Sequence, residues 1–164
     1  MSQYLRVLCR SEEPLSRAEI GGFIREGYFF DAPPRFVPTL EDPAVALPEW
    51  ERFEVHPPGS RRPIVLHHAV HDVLRDSVEE IVQTLLDAGL GESHAALIQR
   101  IRASRQLITF ELEPSQMTED AWEMLDATEA CVARLRDGVV FVSGEGIYDA
   151  ALYPLCKLTR PASE

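Results

Sequence analysis

Four of the five histidines, His56, His67, His68 and His71, fall between positions 56 and 71, and Asp72 follows the last of them. Imidazole and carboxylate are common ligands for Zn²⁺ and its first-row neighbours and are also the usual groups for acid–base catalysis. His67, His71 and Asp72, with Glu54 as a further carboxylate, therefore form the first candidate set. Spacing tests it. On a strand, positions i and i+4 share a face but lie ~13 Å apart, too far for one ion without a bulge. On a helix the same spacing would suit one metal. The apolar run Ile64-Val65-Leu66 just before the histidines reads as a strand. The plainer reading is that they are polar sheet residues, with His56 facing His67 or His68 across a hairpin.

A second set is acidic. Glu111, Glu113, Glu119, Asp120, Glu123, Asp126 and Glu129 lie between Gln106 and Ala133, a stretch without a Lys or Arg. Residues 119–136 have helical periodicity, with Ala121, Met124, Leu125, Thr128, Cys131, Val132 and Leu135 on one face. Glu119, Glu123 and Asp126 lie opposite, flanked by Asp120 and Glu129. Trp122 falls on the acidic side. It either folds back over Leu125 to seal the core or anchors a surface that docks a basic protein. In the second case the acidic field also steers the encounter. Glu119 and Asp120 occupy the first turn, where the helix dipole favours negative charge, so part of the acidity is structural. The expected partner-binding set is Trp122, Glu119, Glu123, Asp126 and Glu129.

Gly144-Glu145-Gly146, with Tyr148 and Asp149, is a third set. The glycines would let backbone approach a ligand, but a hairpin turn explains them more simply. Other chemistries lack their signatures. No phosphate-binding glycine loop, nucleophile elbow or His-Glu-x-x-His helix is present. Lys157 is the only lysine. Cys9, Cys131 and Cys156 are far apart, with no C-x-x-C, which implies reduced thiols rather than a zinc ribbon. No catalytic residue, metal or cofactor is assigned.

Several elements must position these residues. Residues 4–10 alternate and read as a strand, with Leu5, Val7 and Cys9 inward and the other face wet. Ser16, Glu19 and Leu15 supply a capping box and a staple for a helix with Ile20, Phe23 and Ile24 inward, ending at Gly27. Gly21 and Gly22 within it read as close packing on a sheet, or as backbone open to a ligand. Residues 28–30 read as a short strand. Eight of the twelve prolines lie between 33 and 63. Residues 31–49 are thus expected to form a long ordered loop, anchored by Phe36, Val37, Leu40, Val45, Leu47 and Trp50.

Residues 50–56 and 63–71 read as a hairpin. Asp76 or Ser77 caps a helix with Val78, Ile81, Val82, Leu85 and Leu86 inward, and 94–103 is a second helix. Residues 106–113 form a strand with Ile108, Phe110 and Leu112 inward. Thr118 caps the acidic helix, which Asp137-Gly138 closes with the glycine left-handed. Residues 139–142 form a buried strand, and 147–149 pair back on it.

The 164 residues are 45% apolar and 26% charged, the profile of a folded domain, and one domain over 1–164 is expected. A net charge of −11 repels phosphate backbones, which argues against nucleic acid as a partner. Neither a signal peptide nor a membrane-spanning stretch is visible, so a cytoplasmic protein without a membrane partner is expected. The economical fold is α+β, a mostly antiparallel sheet with helices packed on one face. A ferredoxin-like split βαβ sandwich, single or duplicated, is the leading form. The expected function is a non-catalytic interaction module with an acidic surface, such as an inhibitor or immunity-type protein for a basic partner. A small His/carboxylate-dependent or metal-dependent enzyme and a small-ligand sensor are the alternatives. The sequence does not define an oligomeric state.

Overall fold

The alternating segment near the start of the chain lies at the centre of the molecule. In the computed structural model, which describes residues 2–158, Gln3–Cys9 forms strand β1 and pairs on both sides. Its neighbours are β5 (Gln106–Leu112) and β6 (Gly138–Val142). Strands β2 (Arg35–Val37), β3 (Arg52–His56) and β4 (Ile64–Ala69) extend the sheet beyond β5. Strands β7 (Gly146–Tyr148) and β8 (Pro154–Lys157) extend it beyond β6. The order is β2-β3-β4-β5-β1-β6-β7-β8, with every neighbouring pair antiparallel. β1 and β4 therefore run in the same direction with β5 between them. β5 and β6 do likewise with β1 between them.

Among the described residues, four α-helices cover this sheet: α1 (Arg17–Glu26), α2 (His71–Asp87), α3 (Ala95–Arg102) and α4 (Glu119–Arg136). They pack on both faces of the sheet, not on one as expected. Ile20 and Ile24 of α1 and Met124, Leu125 and Val132 of α4 pack with Leu5, Val7 and Cys9 of β1. Ile81, Val82 and Leu85 of α2 and Ile98 and Ile101 of α3 pack with Leu8, on the opposite face of β1. The second face of β1 is therefore covered at Leu8, which is buried in a core of its own, while Tyr4 on the same face stays exposed. Burying each such side chain contributes roughly 1.5–3 kcal/mol.

Local chemistry explains most element ends. Ser16 and Glu19 form the reciprocal capping box, and Thr118 accepts from the Ala121 N–H. Gly21 supports the close-packing reading, because a Cβ there would run into Leu40. The segment 31–49 is ordered around β2 and a short 3-10 turn, Pro43–Ala46, with Phe36, Val45 and Trp50 buried. Val37 and Leu47 remain exposed, as do Leu86 of α2 and Leu135 of α4.

Other expectations shift. Residues 28–30 are not a strand: Tyr28 turns the chain at a positive φ of 51°, and Phe29 and Phe30 pack on the core. Helix α2 begins at His71, before Asp76 and Ser77, with Val70 at its start and no side-chain cap. Asp137 takes the left-handed position after α4. Gly138 instead begins β6, where a Cβ would press on the Leu8 carbonyl at 3.1 Å.

Candidate functional site

Helix α4 packs across β1 and β6. At the corner where β1 begins and β6 ends, a gap opens between helix and sheet. Gly146 lies opposite Val142 in the register and brings no side chain to this corner. The result is a cleft of about 390 Å³. Trp122, Asp126 and Glu129 line it from α4, Gln3 and Leu5 from β1, and Val142 from β6. Glu145 of the β6–β7 turn, Tyr148 of β7 and Leu152 complete it. The acidic helix and the Gly-Glu-Gly turn, separate in the sequence, thus share one site.

Glu129 departs from its expected place. Helical periodicity puts it beside the acidic outer face, but it is only 2% exposed. Its Cα lies one position beyond Thr128 and four before Ala133, both buried, so the helix turns it toward the sheet. Its Oε1 has no hydrogen-bond partner. Burial, with Asp126 and Glu145 nearby, pushes its carboxyl up to about 8. Asp126 is also raised, first by partial desolvation and then by Glu145. Tyr148 is raised by burial and by the same Glu145. These shared influences place three carboxyl groups and a phenol around one small volume.

Trp122 packs at the edge of the core, as the sealing reading expects. It is half-buried and packed against the main core, yet it forms a wall of the cleft. Glu119, Glu123 and Asp126 are exposed, as expected. Asp149 belongs to the loop rather than the cleft: its Oδ1 accepts from the Ala151 and Tyr153 N–H groups, both at 2.9 Å. That turn holds Leu152 in place. Position in sequence suggested neither Gln3 nor Leu152, because only the pairing of β1, β6 and β7 brings them here.

The histidine set lies by the opposite end of β1, along a groove of about 1330 Å³. His67, His68 and His71 all line it, but each has a separate setting. His67 Nε2 lies 2.9 Å from Glu111 Oε1. His68 Nε2 is 3.0 Å from Gln106 Oε1 and its ring packs on Trp50. The Gln106 amide donates to the Ser11 and Glu13 carbonyls at 2.7 and 2.8 Å. Its oxygen must therefore accept, so His68 carries its proton on Nε2.

His71 is exposed at the start of α2 with a φ of 60°. Asp72 is held by Arg75 at 2.8 Å. Glu54 faces His56 at 2.9 Å and Arg52 at 3.3 Å. Burial opposes its ionisation, but these hydrogen bonds prevail and hold its carboxyl below the usual value. His56 is paired with Arg35, and the expected facing with His67 or His68 does not occur. The His67, His71 and Asp72 set does not converge. Among the described residues, no group of three or more His, Cys, Asp and Glu side chains is arranged to hold a metal ion. The groove also mixes signs, with Arg75, Arg102 and Arg105 set against Glu12, Glu49 and Glu79.

Cys9, Cys131 and Cys156 are free and buried. Burial pushes the Cys9 thiol up to about 12, which removes it as a nucleophile near neutral pH. Among the described residues, no helix is long and apolar enough to cross a membrane. No family model, curated protein or solved structure matches this chain.

Proposed function

We propose that the chain is a non-catalytic interaction module that captures a basic protein through α4 and the adjoining cleft. The observation that carries this reading is the half-buried Trp122, which lines the cleft with exposed Asp126 and Glu145 and lies on a helix that also exposes Glu119 and Glu123. An aromatic wall inside a single-sign rim suits an anchor: the indole supplies contact area, and the carboxylates raise the encounter rate with a cation. An inhibitor or immunity-type role in the cytoplasm fits this surface. Nucleic acid fits it poorly, since the rim would repel phosphates.

We read the frame that holds the site as ferredoxin-like. Support comes from the order β4-β5-β1-β6 and from two crossovers, β1 to β4 through α1 and β5 to β6 through α4. Both crossover helices pack on the same face. In this reading, β2, β3, β7 and β8 are edge additions, and α2 with α3 is an insertion on the reverse face.

The test compares wild type with a variant carrying Glu119→Gln, Glu123→Gln and Asp126→Asn in affinity capture from native extract. A basic protein should be retained by wild type at low salt, lost by the variant and released as salt rises. Trp122→Ala should weaken the same association with unchanged far-UV circular dichroism. Equal recovery on wild type and the triple variant would overturn the reading.

A further inference from the structure

Glu129 has no evident structural duty. Buried carboxylates in stable folds are normally paired or hydrogen-bonded, because an isolated one lowers stability. Arg136 on the same helix shows the ordinary solution: it is 6% exposed and donates to the carbonyls of Glu13, Pro14 and Leu135 at 2.7–3.0 Å. Glu129 is more deeply buried, its Oε1 is unpartnered, and it lines the cleft. Asp126 and Glu145 lie close enough to raise its proton affinity, and among the described residues no basic side chain lines the same space. A neutral or anionic occupant would leave this cluster uncompensated. A bare divalent ion would need ligands grouped around one point, which the described residues do not provide. The walls contributed by Trp122, Leu5, Val142 and Leu152 are apolar, so the complementary ligand carries its charge on a hydrocarbon stem.

We infer that the cleft binds an alkylammonium or alkylguanidinium group, with its charge facing Glu129, Asp126 and Glu145 and its stem lying along Trp122, Leu5 and Leu152. The inference rests on the basic-partner reading and specifies what enters the cleft. A volume of about 390 Å³ admits a group the size of a basic side chain. The indole face favours a cation beyond its area of contact. The same chemistry is offered by a Lys or Arg side chain of a protein and by a free amine.

Entry of the cation favours ionised Glu129. The groups facing that carboxyl are Asp126 on its own helix, Glu145 in the β6–β7 turn, and Tyr148 and Gln3 on the sheet. None carries a positive charge. Below about pH 8 the empty site holds a proton on Glu129, and the ligand displaces it to solvent. Affinity therefore rises with pH up to that value.

Isothermal titration at pH 6.5 and 8.5 with hexylamine, N-acetyl-lysine methylamide and N-acetyl-arginine methylamide tests the inference, with hexanol and magnesium chloride as controls. The expected result is saturable binding of at least one cation, tighter at pH 8.5. It should weaken by roughly tenfold or more in Glu129→Gln, a loss of ~1.4 kcal/mol. It should also weaken in Glu145→Gln, whose turn position leaves the core untouched. Binding of the capped amino acids assigns the site to a protein side chain. Binding of hexylamine alone assigns it to a free amine. Either result supports the inference.

No saturation by any of the three cations, equal affinity in both variants, or magnesium binding in their place would overturn it. If salt-sensitive capture of a basic protein persists without cation binding in the cleft, the inference fails and the broader function stands. Cation binding without protein capture leaves the opposite result.

Discussion

The two ends of β1 handle buried polar groups in opposite ways. By Cys9 and Gln106 the polar groups close on one another: Gln106 is 2% exposed and joins His68 to the carbonyls of Ser11 and Glu13. Near Gln3 and Leu5, Glu129 is equally buried and one of its oxygens has no partner. The histidine end has the residue types associated with catalysis, yet His67, His68 and Gln106 are each hydrogen-bonded to neighbouring groups. The acidic end has fewer such residues and keeps a buried carboxyl oxygen without a hydrogen bond. Satisfaction of hydrogen bonds, more than residue type, separates a structural polar cluster from a candidate binding site.

The contrast is sharpest when each buried group is changed. Gln106→Leu should cost ~2–4 kcal/mol, because it leaves two carbonyls and an imidazole N–H without partners. Urea unfolding measures this, and a loss below ~1 kcal/mol would mean that the network is dispensable. Glu129→Gln should have the opposite sign. The native carboxyl holds its proton up to about pH 8, whereas its ordinary value is 4.5. Between those values the unfolded chain has lost a proton that the native state keeps, so wild-type stability falls as pH rises and levels above 8. The variant should lack this decline and gain roughly 2–3 kcal/mol over wild type at pH 9, with no gain near pH 4. Denaturation curves at those two pH values decide it, and parallel profiles would show that Glu129 is not the titrating group.

Smaller effects are expected from the histidine groove. His67→Ala removes a partly exposed pair with Glu111 and should cost less than ~1 kcal/mol. About a hundred-fold excess of zinc should leave the melting temperature within experimental error, since a bound ion would raise it measurably. A clear rise would place a functional site at the histidine end and erase the contrast.

The elements were legible where local chemistry governs them. Ser16 with Glu19 and Thr118 announced their helices, and alternation marked β1 and β5. Surface exposure was less legible, since it depends on what crosses above. Leu8 was read as facing water because nothing in residues 4–10 announces α2 and α3 on the second face. Glu129 was placed outward by helical angle alone, yet the helix lies in a corner where that direction meets β1 and β6. His71 and Asp72 were read near a strand end, while α2 begins there without a side-chain cap. The candidate site was visible as two fragments, an acidic helix and a glycine turn. Joining them required the pairing of β6 with β7 beneath α4, a long-range fact that spacing does not encode.

The central position of β1 has a consequence for biosynthesis. Cys9 pairs with Gln106 on one side and with Gly138 on the other, so neither partner exists when the strand is first translated. At ~5–20 residues per second, roughly 5–20 s pass before even the nearer partner has been made. During that interval Leu5, Val7, Leu8 and Cys9 offer apolar side chains on both faces of an unpaired segment. Such distant pairings also place the chain among slower-folding topologies. A segment whose Val7, Leu8 and Cys9 end almost fully buried thus waits a long time for its cover on the ribosome.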